Sequence, residues 1–490
     1  MATRRTDPHH RYWLAGERRK PDDTPTLPVV SPVDGTVVGG VHEYTREQID
    51  LCFAAARQAQ PRWFARPLTE RTELLLRFAD LLADNAERIG EVLMMEVAKA
   101  RRDARDEVAR SADYVRHTAE DAKRVIGDSQ FSDAFPGQAR DKLAVVHRVP
   151  LGTVLAIPPF NYPVNLAVSK IAPALATGNA VVLKPPSQGA LSALMMCDLA
   201  HEAGIPPEVL QAVTGRGSRI GDYLVQHGDV DLITFTGSSG TGAELARKAG
   251  MVPLLLELGG KDPAIVLADA DIDAAAADIV SGAFSYSGQR CTAVKRVLVV
   301  DAVADRLVAA VAQRAAELTV GDPRDNARIT PLVDADAAVG AERMVQDAVA
   351  RGATLVCGGD REGNLVRPTV VDRVTEDMDL AWVEPFAPVL PVIRVRSAEE
   401  AIRISNRSEY GLQAAVFTRD IDLAIQVAAR LDVGTVQVNG RTARGPDHFP
   451  FLGTKASGMG TQGVRPSIEA MTRVKSLVVN LHAKDLAAVS

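Results

Sequence analysis

Residues 284–296 read FSYSGQRCTAVKR and place one of only four cysteines at the foot of a Ser/Gly turn, behind Arg290 and ahead of Lys295 and Arg296. A free cysteine is ordinarily a small buried hydrophobe. Three neighbouring cations would instead favour the thiolate, the form that attacks a carbonyl carbon. The other cysteines, Cys52, Cys197 and Cys357, are too scattered for a disulfide framework, and none has zinc-ligand spacing with His. The expectation is a chain without a metal site in a reducing cytoplasm.

Four further stretches carry groups that a reactive cysteine could use. Glu257 closes an apolar run, VPLLLELGGKDP, where a carboxylate is either paired or held as a general base. Asn161 sits in IPPFNYPVN, as a turn residue or as an amide donor to a developing oxyanion. FTGSSGTG, with Gly237 and Ser238, follows one apolar run and opens a helical one. It does not match the G-x-G-x-x-G fingerprint, yet a Gly/Ser turn at a helix N-terminus can still meet a phosphate. Lys184 ends the strand-like run VVLKPPSQG, where doubly wound sheets bind ligands.

The elements that must position these groups follow from periodicity. The first third reads as helix, with a charged helix from about 101 to 126 and one long helix opened by Thr69 and Glu70. From residue 151 onward, short apolar runs alternate with helical segments, which predicts parallel sheet covered on both faces. A second such set begins after Gly260, so Cys291 falls in a helix-to-strand loop. The segments 127–150 and 468–490 fit neither set and predict exposed strands that pair with each other or with another subunit. Residues 152–183 carry only Lys170 as a charge. Their prolines and asparagines would leave backbone groups unsatisfied in lipid, so strand, loop and helix are expected instead of a membrane span.

The chain has 490 residues, a formal net charge of -6 and interleaved acids and bases. No basic field for nucleic acid or anionic membrane is expected, so an anionic ligand would have to meet a few placed cations. The N-terminal stretch lacks the apolar core of a secretory signal.

Taken in order, PFNYP, KPP, FTGS, LELGGKDP, GQRC, EPFAPV and PFLGTKASGMG resemble the aldehyde dehydrogenase superfamily over nearly the whole chain. FNYPVNLAVSKIAPALATGN, GQRCTAVKRVLV and RGPDHFPFLG are most similar to its non-phosphorylating, NADP-dependent glyceraldehyde-3-phosphate dehydrogenases. The resemblance implies two doubly wound α/β domains and a small bridging β segment: 1–126 with 151–259 for the cofactor, 260–467 for catalysis, and 127–150 with 468–490 for assembly, as a homo-oligomer of four.

It also implies roles. Cys291 would be the nucleophile, with its own N–H and the Asn161 amide holding the oxyanion, and Glu257 would activate the water that hydrolyses the thioester. Lys184, Gly237, Ser238, Glu384 and Phe386 would contact the cofactor. NAD-preferring relatives commonly carry a glutamate where this chain has Ser187. Lys184 and Ser187, with Arg216 nearby, therefore point to NADP, with NAD also possible. Arg110, Tyr162, Arg290 and Arg444 match the positions that hold a substrate phosphate, for which guanidinium forks are suited. Ala387 and Pro158 depart from the family pattern, while His448 and DREGNLVRP carry no expected role. A phosphonoaldehyde dehydrogenase or a broader aldehyde dehydrogenase would use the same groups. Glu257 argues against a CoA-acylating enzyme, and the joint presence of Cys291, Asn161 and Glu257 argues against a non-catalytic scaffold.

Overall fold

Two parallel sheets, each sandwiched between helical layers, face one another across the chemistry-bearing loops. The structure, a computed structural model, describes residues 12–19, 26–125 and 127–481. The extreme N-terminus and residues 482–490 of the expected assembly segment lie outside the described residues.

The first sheet has the order Gly458–Met459, Leu254–Glu257, Leu232–Thr236, Thr153–Ile157, Ala180–Leu183, Leu210–Ala212, and only its Gly458–Met459 edge is antiparallel. Chain order reverses between Thr153–Ile157 and Leu232–Thr236, the switch point at which doubly wound sheets open a ligand crevice. Strand alternation sends Val154, Ala156, Val181 and Leu183 into one core, with helices Leu68–Asp84, Arg101–Ala122, Asn165–Ala176 and Ala190–Glu202. Leu155, Ala180, Val182 and Phe235 go into the opposite core, against Arg46–Ala65, Gly217–Val225 and Ser239–Lys248. Both faces are therefore dry, which is why these strands read as unbroken apolar runs.

The second sheet runs Thr354–Cys357, Thr369–Asp372, Val389–Val395, Arg296–Val300, Pro263–Val266, Gln413–Phe417, Thr435–Val438, antiparallel only at its first strand. Helix Ile272–Phe284, capped by Asp271, delivers the chain to the cysteine loop, and Arg296–Val300 carries it away. DREGNLVRP forms the small hairpin Arg361–Glu362 with Leu365–Val366.

Segments 127–150 and 468–490 do pair: Thr472–Asn480 and Asp128–Phe131 flank Lys142–Pro150 in an antiparallel sheet. Two details differ from expectation. The long helix divides at Asn85 into Leu68–Asp84 and Ala86–Val97, and it starts at Leu68 after Pro67, ahead of Thr69. The chain also returns to the first sheet before residue 467, through the Gly458–Met459 edge and helix Val464–Ala470, which packs on Arg101–Ala122. Residues 152–183 form the expected strand, helix and strand, and no helix among the described residues is long and apolar enough to cross a membrane.

Candidate active site

Cys291 and Glu257 meet although they lie on different sheets' connections: Sγ is 3.9 Å from Glu257 Oε1. Glu257 is the last residue of Leu254–Glu257 and is 3% exposed, so its charge needs partners. Oε2 receives Arg444 Nη1 at 2.5 Å and the Thr236 hydroxyl at 3.3 Å, and Thr236 in turn receives the buried Lys170 ammonium at 2.7 Å. Burial pushes Lys170 down to about 7.

The cysteine loop is tied from several sides. Tyr286 and Ser287 adopt left-handed φ of 51°, sparsely populated for residues with a Cβ. Ser287 Oγ donates to Thr330 O and accepts from Thr330 N, both at 2.8 Å, while Tyr286 OH donates to Val97 O at 3.0 Å. Gly288 packs so tightly that a Cβ would come within 2.3 Å of Ala387 O. Lys295 donates to Cys291 O and pairs with Glu384 at 2.8 Å, joining the loop to the EPF segment.

The cations do not make a resting thiolate. Burial, reinforced by the Glu257 charge, outweighs Lys295 and Arg444 and pushes the Cys291 thiol up to about 12. Arg296, expected beside the thiol, is buried elsewhere: it donates to the carbonyls of Lys261, Ala381 and Ser405 and packs over Trp382. The physical reason is strand alternation, which turns Arg296 away from Lys295.

Asn161 is 3% exposed; its Nδ2 donates to Gln289 O at 2.8 Å, and Oδ1 has no hydrogen-bond partner. Its loop is pinned by Lys99, which donates to Asn161 O at 2.7 Å, pairs with Glu107 and lies over the rings of Tyr162 and Tyr286. Phe386 packs edge-on against Phe160 with ring centroids 5.9 Å apart.

Arg110, Tyr162, Arg290 and Arg444 converge from four segments. Tyr162 is within electrostatic reach of both Arg110 and Arg290, and Arg110 Nη2 donates to Arg444 O at 3.0 Å. Arg290 is half-buried, donates to Gly282 O at 2.6 Å, leaves its shielded Nε without a partner and has no ion pair among the described residues. Such a cation is costly to bury unless an anion compensates it. Two carboxylates offset the other two: Glu257 holds Arg444, and Asp447 takes Arg110 in a fork, 2.5 Å to Nε and 2.7 Å to Nη2. Asp447 was not singled out by sequence reasoning, though it stands three residues after Arg444. Lys170, Thr236 and Lys99 had no expected role either; Lys170 did carry a signal as the only charge in residues 152–183, whereas Thr236 at a strand end and Lys99 between two helices have no local mark.

Of the residues expected at the cofactor, Lys184, Ser187, Arg216, Gly237 and Ser238 follow the carboxyl ends of first-sheet strands, whereas Glu384 and Phe386 lie in the connection between Thr369–Asp372 and Val389–Val395 of the second sheet. Lys184, Gly217, Ser218, Phe235 and Thr241 line a cleft of about 520 Å³, and Ser187 and Arg216 line an adjoining hollow beyond Pro185 and Pro186. The cleft fits a dinucleotide. Lys184 is 7% exposed, pushed down by burial to about 8, and has only the Pro185 carbonyl as hydrogen-bond partner, so a phosphate or ribose oxygen would satisfy it. Gly217, Gly221 and Gly240 face open space, allowing close backbone approach. Ser238 caps helix Ser239–Lys248 through Thr241 N, with Gly237 before it, so the anion attraction there comes from the helix N-terminus. No group of three or more potential metal ligands occurs among the described residues.

The aldehyde dehydrogenase family model matches residues 19–477. The chain belongs to the aldehyde dehydrogenase family. It is 52% identical over 455 residues to the NADP-dependent glyceraldehyde-3-phosphate dehydrogenase of Streptococcus equinus, spanning 93% of this chain and 96% of that one. The structure of the NADP-dependent glyceraldehyde-3-phosphate dehydrogenase of Bacillus halodurans C-125, complexed with NADP, matches with TM-score 0.95 at 51% identity, over 97% of this chain and 100% of that one. A 3-sulfolactaldehyde dehydrogenase of Priestia aryabhattai is 38% identical over 438 residues, covering 89% of this chain and 91% of that protein.

In this aldehyde dehydrogenase the two departures from the family pattern sit in packed positions. Ala387 is 4% exposed and joins the core cluster with Leu380, Ala381 and Val389, while its backbone carbonyl abuts Gly288 of the cysteine loop. Pro158 is buried one turn before Asn161. Neither displaces Cys291, Glu257 or Asn161 from the arrangement described above.

Proposed function

We propose that this aldehyde dehydrogenase oxidises D-glyceraldehyde 3-phosphate to 3-phosphoglycerate with NADP, needing neither inorganic phosphate nor CoA. The observation that carries the reading is the thiol and carboxylate of Cys291 and Glu257 at 3.9 Å beside a cluster of three arginines, one of which, Arg290, has no ion-pair partner among the described residues and leaves Nε unpartnered. The names of the relatives at about half identity support the same substrate and cofactor.

The residues divide the work. Glu257 Oε1 faces Sγ and is placed to take its proton as the sulfur attacks the aldehyde carbon. The oxyanion that forms is held by the Cys291 N–H and the second Nδ2 hydrogen of Asn161, the first being used by Gln289 O. NADP, when bound, supplies the hydride acceptor. Lys184, Ser187, Arg216, Gly237, Ser238 and Glu384 would hold it, with Phe386 packing beside it. Once the thiol's proton has left Glu257 and the acyl group is on sulfur, the freed carboxylate takes a proton from water, and the hydroxide attacks the thioester and expels the Cys291 sulfur as thiolate. Thr236 and the low-pKa Lys170 offer that proton a route away from Oε2.

Arg110, Tyr162, Arg290 and Arg444 form the anion end of the substrate site. A phosphate there competes with Glu257 for Arg444, which would loosen the ion pair on the carboxylate. A sulfonated aldehyde is a second reading, favoured by the 38% identical relative and by the same guanidinium groups. Thr472–Asn480, with Val474, Leu477 and Val478 more than half exposed, supplies an apolar edge for assembly as a homotetramer in the cytoplasm.

The test is Glu257→Gln mixed rapidly with glyceraldehyde 3-phosphate and NADP. The expected result is one NADPH per subunit in a burst that forms more slowly than in the wild type, because the thiol has lost its neighbouring base, followed by turnover slowed about a thousandfold. Wild-type steady-state turnover in this variant would remove Glu257 from water activation.

A further inference from the structure

Asp447 stands inside the anion site with the same sign of charge as the substrate group proposed to bind there. Its side chain is 14% exposed and that of Arg110 39%. The two form a fork-to-fork pair through Nε and Nη2, the geometry by which a guanidinium also grips phosphate. The remaining Nη2 hydrogen goes to Arg444 O, leaving Nη1 as the uncommitted donor. Asp447 Oδ1 also lies 3.8 Å from Arg444 Nε. One carboxylate therefore touches two of the three arginines, while Arg290 touches neither carboxylate.

We propose that Asp447 is a specificity-determining residue that sets how strongly the site favours a dianionic over a monoanionic substrate tail. Arg110, Arg290 and Arg444 contribute three positive charges, and Glu257 and Asp447 cancel two. The electrostatic effect of one fixed charge on a ligand scales with the ligand's charge. Asp447 thus weakens a phosphate ester, doubly charged above pH 7, twice as much in free energy as a sulfonate, and it does not act on an uncharged tail. The consequence is a site that grips the phosphorylated aldehyde without retaining the still more negative phosphorylated acid it makes. This inference rests on the proposed anion-end role of the arginines.

The experiment is Asp447→Asn, which keeps the shape but replaces one of the two acceptor oxygens with an NH2 donor, with Asp447→Ser as a second variant. Competitive inhibition constants are measured at pH 8 for glycerol 3-phosphate and for 3-hydroxypropanesulfonate, with the Michaelis constant for unphosphorylated glyceraldehyde as the neutral reference. Relative to that reference, the dianion should bind about tenfold tighter and the monoanion about threefold tighter in the variant. Added salt should shrink both gains. Equal shifts for all three probes, or weaker binding of the dianion, would overturn the role of Asp447 and leave it as a support for Arg110. If wild-type protein binds glycerol 3-phosphate no better than glycerol, the anion-end reading itself fails.

Discussion

Arg444 Nη1 lies 2.5 Å from Glu257 Oε2, so one guanidinium matched to substrate recognition is bound to the carboxylate matched to water activation. Both side chains are shielded from solvent, at 10% and 2% exposure, so the pair is weakly screened. On the proposed roles, substrate binding and hydrolysis would be coupled through one side chain.

Replacing Arg444 with Gln separates the two roles. The Michaelis constant for glyceraldehyde 3-phosphate should rise about a hundredfold, because a charge-assisted donor is lost from a shielded site. Thioester hydrolysis with unphosphorylated glyceraldehyde should become faster, because Glu257 is no longer neutralised. Single-turnover kinetics with both aldehydes read the two effects independently, and slower hydrolysis of the unphosphorylated acyl group would contradict the coupling.

Thiol reactivity gives a pH test with a defined sign. Cys291 is pushed up to about 12 by burial and then by Glu257, while Lys295 and Arg444 pull the other way. Alkylation of the protein without added cofactor should therefore still be climbing above pH 9. Glu257→Gln removes a charge that opposes the thiolate and should move the profile down by about 1 pH unit. A profile that moves upward in this variant would reverse the assigned interaction.

Ser187 and Arg216 line the hollow next to Lys184. Ser187→Glu brings a carboxylate toward a 2'-phosphate and should weaken NADP binding by about tenfold or more, with a much smaller effect on NAD. Fluorescence titration with both cofactors measures the ratio; an unchanged ratio would place the 2'-phosphate elsewhere.

The chain's legible parts are those with a local signature. Cys291, Glu257 and Asn161 each have an ordinary structural reading alone and stand out through the motifs that carry them in order, and the sheets stand out because strands buried on both faces read as continuous apolar runs. What was illegible is relational. Arg296 seemed to flank the thiol, but alternation turns it to the carbonyls of Lys261 and Ala381. Arg110 and Asp447 are 337 positions apart, so no spacing rule could join them. The thiolate expectation counted neighbouring cations and could not count burial, which outweighs them here. Asn85 ended a helix inside an unbroken periodic pattern, because the same apolar spacing serves two consecutive helices.

Assembly is accessible to the same approach. Leu477 and Val478, 57% and 52% exposed on Thr472–Asn480, should be covered by another copy if that edge is the assembly face. Changing both to Asp should yield a smaller species by light scattering; an unchanged mass would move the interface away from this sheet.

The most direct test of the central claim compares kcat/KM for glyceraldehyde 3-phosphate and for unphosphorylated glyceraldehyde, with NADP present and inorganic phosphate and CoA absent. Two arginines beside the reacting thiol, Arg290 and Arg444, with Arg110 joined to Arg444, predict a preference for the phosphorylated aldehyde of about a thousandfold, with 3-phosphoglycerate as product. Comparable values for the two aldehydes would contradict it: the arginine cluster would then not be a substrate site, and the chain would be an aldehyde dehydrogenase of some other specificity.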